Sequence, residues 1–277
     1  MTLRLLIGLL LVATALAEQP VTITFRAMVG KEELACGRRY SGIGITKSTI
    51  TPRDFRFYLF GVRLLDENAK EVPLDLTQDG KWQLDDVALL DFEDATGPCG
   101  NGNPETNREV IGTVPSGHVY HGLRFTIGVP FEKNHTDLTA MPSPLNLTAM
   151  AWVWNSGRKF ARFDFSSTGA PRGFAIHLGS TGCTPDDSQT TMPTRCNALN
   201  RPTIELADFD PGKDVVVADL AALLKDSNVD EPGKIVSGCM SDPSTPACAP
   251  VFGNLGLPFS GQVRKPQTFF RSSTGSK

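Results

Sequence analysis

Short segments alternate apolar and polar residues, and this period of two constrains the chain more than any other feature. It runs through Val21-Thr-Ile-Thr-Phe-Arg-Ala, Phe55-Arg-Phe-Tyr-Leu-Phe-Gly-Val-Arg-Leu-Leu and Gly122-Leu-Arg-Phe-Thr-Ile-Gly-Val. It returns in Phe160-Ala-Arg-Phe-Asp-Phe, Phe174-Ala-Ile-His-Leu and Thr203-Ile-Glu-Leu. Side chains on a strand point alternately to opposite faces, so the pattern predicts strands with one dry and one wet face. Gly, Pro, Asn and Asp clusters such as Pro98-Cys-Gly-Asn-Gly-Asn-Pro and Ala170-Pro-Arg-Gly punctuate the segments. The expected fold is therefore all-β, an antiparallel β-sandwich or barrel-like domain with long loops. One short helix is expected over Val217–Lys225, with Leu220, Leu223 and Leu224 on one face.

The first seventeen residues read as an export address. Arg4 supplies a positive start, Leu5 to Ala13 a short apolar run, and Ala15-Leu16-Ala17 a small-x-small cleavage site. The run is too short to span a bilayer, and no later run reaches that length. Residues 1–17 are thus expected to be a signal peptide, the mature chain to begin at Glu18, and the product to be periplasmic or secreted without a membrane span. Residues 18–270 read as a single β domain, because no repeat or linker divides them, and residues 271–277 as a disordered tail.

An oxidising compartment changes the meaning of cysteine. Cys36, Cys99, Cys183, Cys196, Cys239 and Cys248 are even in number and contain no CxxC pair, which favours three disulfides over a cysteine-ligated metal. Sequence leaves their connectivity open. The flanks suggest that Cys183 with Cys196, and Cys239 with Cys248, staple polar loops poor in packing residues, leaving Cys36 with Cys99. Closing a loop of this size contributes roughly 3 kcal/mol on the chain-entropy view.

A formal net charge of −3 lacks the basic excess that phosphate backbones require, so nucleic acid is not an expected partner. No nucleotide-binding glycine loop, zincin motif, nucleophile elbow or haem attachment site occurs, which points to a binder and not an enzyme. Four histidines and three tryptophans are the candidates for chemistry. His118 and His121 sit in a turn before a strand, where their spacing would chelate a metal only on a helix. His135 follows a strand in Val129-Pro-Phe-Glu-Lys-Asn-His, and His177 takes an expected apolar place inside Phe174-Ala-Ile-His-Leu. Neutral imidazole is the commonest metal ligand. Trp152 and Trp154 are two apart, so a strand puts both rings on one face. The acids Asp85, Asp86, Asp91, Glu93 and Asp94 could offer oxygen ligands to calcium, but they lack EF-hand order and read as a solvated turn.

Several segments together resemble the MbnP family. They include Phe57-Tyr-Leu-Phe-Gly-Val-Arg-Leu, Asp79-Gly-Lys-Trp-Gln, Val87-Ala-Leu-Leu-Asp-Phe-Glu and Gly122 through Pro130-Phe-Glu-Lys-Asn-His. Ser143-Pro-Leu-Asn-Leu-Thr-Ala-Met-Ala-Trp-Val-Trp, Ile176-His-Leu-Gly-Ser-Thr-Gly-Cys and Asp214-Val-Val-Val-Ala-Asp-Leu continue the match in order to about Phe270. These are periplasmic copper-binding proteins, some associated with methanobactin, also known as metallo-mystery pair four-Cys motif proteins. The resemblance implies a copper-binding protein whose partner is a dihaem cytochrome c peroxidase-like protein of the MbnH type, which oxidises a tryptophan to kynurenine. It assigns His135 and His177 as copper ligands and Trp154, Trp152 or Trp82 as the modified residue. Opening the indole yields an aromatic amine and a ketone, donors that an intact indole lacks, and with imidazole these suit Cu(I). The chain departs from the family at Arg158, where an aromatic residue is expected. A cation there would oppose a bound copper ion or snorkel to solvent. The competing readings are a metal-free binding or adhesion module and a hydrolase built on paired carboxylates.

Overall fold

The computed structural model describes residues 17–100, 102–152, 157–185, 192–231 and 237–275. The export address before Ala17 lies outside the described residues, and the first strand, Glu18–Val29, starts where the mature chain is expected to begin.

Alternation translates directly into two layers. One six-stranded sheet carries Phe270–Thr274, Asp214–Asp219, Glu18–Val29, Glu109–Pro115 and Asp75–Leu76 in that order, with Glu32–Glu33 beside the first strand. The main path of a ten-stranded sheet runs Thr203–Leu206, Tyr120–Ile127, Ser48–Asp66, Ala161–Ser167, Phe174–Leu178 and Ser237–Cys239. Phenylalanines join the layers: Phe25 meets Phe57 and Phe125, and Phe270 meets the same two rings, at centroid separations of 5.2 to 6.2 Å. These edge-to-face contacts form the centre of the core. Antiparallel pairing dominates, as expected. Two pairings are parallel, Glu18–Val29 with Asp214–Asp219 and Phe174–Leu178 with Ser237–Cys239, so the sheets are mixed. Each joins segments far apart in sequence, which is the connection a parallel pair requires.

Three expectations are corrected. The helix expected over Val217–Lys225 is only Leu220–Leu224, because the β-branched run Val215-Val216-Val217 pairs in the sheet as far as Asp219. The Asp219 carboxylate then caps the helix by accepting the N–H groups of Ala221 and Ala222. Two further helices, Phe131–Asn134 and Cys248–Leu255, bracket functional and disulfide positions that periodicity did not mark. The tail is not disordered through residues 271–274: Phe270 is buried and Phe270–Thr274 pairs with Asp214–Ala218. All three disulfides form, Cys36–Cys99, Cys183–Cys196 and Cys239–Cys248.

The middle of the Ser48–Asp66 strand is buried on both faces. Phe55, Phe57 and Leu59 face the phenylalanine core, whereas Asp54, Arg56 and Tyr58 alternate with them on the other face, where loops cover them. Register sets Asp91, Arg56, Arg162 and His177 side by side across four strands. Arg56 pairs with Asp54 and lies 3.4 Å from Glu93. Asp91 and Glu93 are therefore buried around a guanidinium, not a solvated turn, while Asp85 and Asp86 pair outside with Lys133. The acid cluster is split between these environments and does not converge on calcium.

Burial pushes the Asp91 carboxyl up to about 8, aided by the charges of Glu93 and Asp54 and opposed by Arg56. The fold retains that proton where an unfolded chain has released it, so its contribution to stability falls as pH rises from roughly 4 to 8. Above that it levels off. Asp91→Asn, which mimics the protonated carboxyl, is expected to flatten the decline between pH 5 and pH 8 in urea-unfolding curves. An unchanged slope would contradict this origin.

Candidate metal centre

The turn after Ile127 carries His135. Pro130 starts the short helix Phe131–Asn134, and His135 is its C-cap. The ring is buried at 4% exposure and lies 4.9 Å from the Phe131 ring centroid. Across from it, Ala151–Trp152 pairs with Gly157–Arg158 as a two-stranded ribbon. Between turn and ribbon lies a cavity of about 290 Å³ lined by Asn134, His135, Trp152, Gly157, Arg158 and Met192, among others. Two glycines make room for the chemistry. A Cβ on Gly157 would lie 3.3 Å from His135 Cε1, and one on Gly179 would lie 2.3 Å from Trp152 Cζ3. The edge of the indole that carries Cζ3 and Cη2 therefore lies close against the Gly179 backbone.

Arg158 does not snorkel. Its side chain is buried, with Nε donating to Leu145 O at 2.9 Å and Nη1 donating to the carbonyls of Lys133, Asn134 and Thr136. Among the described residues no carboxylate pairs with it, and burial pulls its basicity down. The residue that departs from the family pattern thus holds the turn that carries His135. Its backbone N–H also donates to Asn134 Oδ1 at 2.9 Å. That contact fixes the amide orientation, so Asn134 Nδ2 is the end that approaches His135 Nε2 at 3.0 Å. An amide N–H needs a lone pair, which makes Nε2 the unprotonated nitrogen and the one able to ligate. Cys196 Sγ lies 3.4 Å from the same Nε2.

His177 lines a different cavity of about 530 Å³, with Arg53, Arg162, Asp164 and Met240 among its walls. Its Nε2 donates to Asp164 Oδ1 at 2.8 Å. Burial pushes Asp164 up, but the hydrogen bond and charge of His177, together with Arg162, outweigh this and hold the carboxyl low. The two histidines expected to converge therefore line separate cavities, with Trp152 packed on Gly179 two residues beyond His177. Trp154 lies outside the described residues. Trp82 is remote from the His135 cavity, half-buried against the main core under Lys81. His118 is exposed beside Glu67, and His121 is exposed.

Among the described residues, two groups of possible ligand atoms converge: His135 with Cys183 and Cys196, and Asp66, Glu67 and His118. The first joins a buried imidazole to two half-buried sulfurs, and the second is largely a surface cluster. Sequence reasoning marked His135 and Trp152 but missed Asn134, Gly157, Gly179, Met192 and the proximity of the Cys183–Cys196 bridge. Asn134 and Gly179 do stand inside the Asn-His and Ile-His-Leu-Gly motifs, and that placement was the available signal.

Gly179→Ala is expected to lift the indole, altering Trp fluorescence and near-ultraviolet circular dichroism and costing about 1–3 kcal/mol through overpacking. Arg158→Lys keeps the charge but cannot span the four carbonyls. It should lose about 2 kcal/mol in denaturant melts, since hydrogen bonds to a charged donor are the strong ones.

The sequence profile of the MbnP family matches residues 18–241. Among solved structures, MbnP from Methylosinus trichosporium superposes with a TM-score of 0.83 at 31% identity, covering 94% of this chain and 100% of that one. Among curated proteins, none matches. With about four fifths of the chain matched in sequence and nearly all of it in structure, this protein belongs to the MbnP family.

Proposed function

We propose that the protein binds copper in the cavity between the His135 turn and the Trp152 ribbon, after a dihaem peroxidase-like partner has oxidised Trp152 to kynurenine. One observation carries the reading: a buried imidazole, its Nε2 facing the Asn134 amide, and a tryptophan line the same small cavity. The residues fit the metal. Imidazole and thioether are donors that Cu(I) accepts, and His135 and Met192 supply them. An intact indole has its nitrogen lone pair tied into the ring. Ring opening exposes an aromatic amine and a ketone in a cavity that His135 also lines, which explains why modification would precede binding. Trp152 is favoured over Trp82 because Trp82 does not line this cavity.

Export supports the same reading. Three disulfides suit an oxidising compartment, and among the described residues no helix is long and apolar enough to cross a membrane. A carboxylate hydrolase is disfavoured because Asp54, Asp91 and Glu93 are buried around Arg56 and do not line either of these cavities.

The test compares protein matured with its dihaem partner against protein made without it. Matured wild type should carry kynurenine in the Met150 to Asn155 peptide and bind copper. His135→Ala should lose at least about tenfold in affinity, an order set by loss of one ligand. His177→Ala should lose less, because that ring lines the neighbouring cavity and is held by Asp164. Equal affinity in matured wild type and His135→Ala, measured against a chromophoric chelator, would overturn the site.

A further inference from the structure

We infer that His135, Cys183 and Cys196 form a thiol-dependent Cu(I) site that opens when the Cys183–Cys196 disulfide is reduced. This goes beyond the copper reading above, since no part of it needs an oxidised tryptophan. Three observations carry it. The candidate ligand atoms of the three residues all lie within 4.8 Å of one another. His135 Nε2 carries the lone pair and is 3.4 Å from Cys196 Sγ. Arg158, whose Nη2 is buried without a hydrogen-bond partner, lines the cavity of His135.

A disulfide is neutral, and among the described residues no carboxylate forms an ion pair with the Arg158 guanidinium. Two thiolates holding one Cu(I) carry a net charge of −1, and a buried cation nearby offsets that at no further desolvation cost. Thiolate is a strong, soft ligand for Cu(I), whereas a disulfide sulfur is a poor one. Oxidation state of the bridge therefore decides whether sulfur joins the imidazole.

Position makes this bridge the accessible one. Cys183 and Cys196 are both half-buried, whereas each of the other bridges includes a buried cysteine, Cys99 in one and both Cys239 and Cys248 in the other. The pair stands in direct register on the hairpin formed by Thr181–Thr184 and Arg195–Ala198. Backbone pairing can keep the sulfurs adjacent after the bond between them breaks. The reductant is a dithiol. Its thiolate attacks one sulfur of the bridge, the S–S bond breaks, and the second thiol resolves the mixed disulfide. Two electrons pass to the protein, the dithiol leaves as a disulfide, and its two protons reside on Cys183 and Cys196 until Cu(I) displaces them.

The experiment uses protein made without the dihaem partner, so that Trp152 is intact. Limited dithiothreitol treatment is followed by differential alkylation and peptide mapping, then by anaerobic removal of the reductant and titration of Cu(I) against a chromophoric chelator. Cys183 and Cys196 should be the first thiols to appear. Reduced wild type should take up about one more Cu(I) per chain than oxidised protein, with thiolate-to-copper charge-transfer absorption. C183S/C196S treated identically should show neither, and His135→Ala should bind about tenfold more weakly while keeping the absorption. If the double variant fails to fold, wild type alkylated selectively at Cys183 and Cys196 replaces it. Opening of another bridge first, or equal Cu(I) uptake by wild type and the comparator, would overturn the proposal. Kynurenine-dependent binding is absent from this protein, so that reading stands or fails separately.

Discussion

A strand buried on both faces cannot carry charge on one of them unless something else covers and answers it. Ser48–Asp66 is in that position. Its inward residues, Phe55, Phe57 and Leu59, belong to the phenylalanine core, while Asp54, Arg56 and Tyr58 lie buried on the opposite side. Burying unpaired ions there would cost several kcal/mol each, so Asp54 pairs with Arg56 on the strand itself and with Arg162 of the neighbouring strand, 3.2 Å away. Tyr58 donates to Pro144 O at 2.6 Å, tying the covering loop to the strand. Arg158 donates to Leu145 O in the same loop and to the carbonyls of the His135 turn. The candidate metal centre is thus assembled from the layer that covers the strand's charged face.

That origin explains which parts of the molecule were legible. Period-two alternation reports burial on one face, and it located Val21–Ala27, Phe160–Phe165 and Phe174–Leu178 because those strands have an ordinary dry side. It did not report that the wet side of Ser48–Asp66 would also be covered. Arg56 and Asp91 therefore looked like solvated charge. The local misreadings share a physical cause. Val215-Val216-Val217 favours a strand by β-branching, yet the leucines after it are spaced for a helix, and the boundary falls where Asp219 can cap. Phe269 and Phe270 are buried, which draws the polar residues after them into a sheet edge.

The site was half legible for a different reason. His135 and Trp152 are rare residue types, so each could be weighed individually. Neither the cavity nor its walls has a residue-level signature. Gly157 and Gly179 matter for the Cβ they lack, and Arg158 for the carbonyls it gathers. Arg158 as a departure from the family pattern suggested a cation opposed to copper. The fold gives it the opposite part, since a guanidinium that spans Lys133 O, Asn134 O and Thr136 O stiffens the turn that presents the imidazole.

Stiffening and ligation are coupled through one hydrogen-bond chain. The Arg158 N–H orients the Asn134 amide, the amide selects the His135 tautomer, and the tautomer leaves Nε2 with its lone pair. A metal arriving at Nε2 must displace the Asn134 contact, which costs about one hydrogen bond and is repaid by a far stronger coordinate bond. The chain thereby holds the His135 ring in one orientation and one tautomer. Preorganisation of this kind sets the site's selectivity through donor type and not through shape.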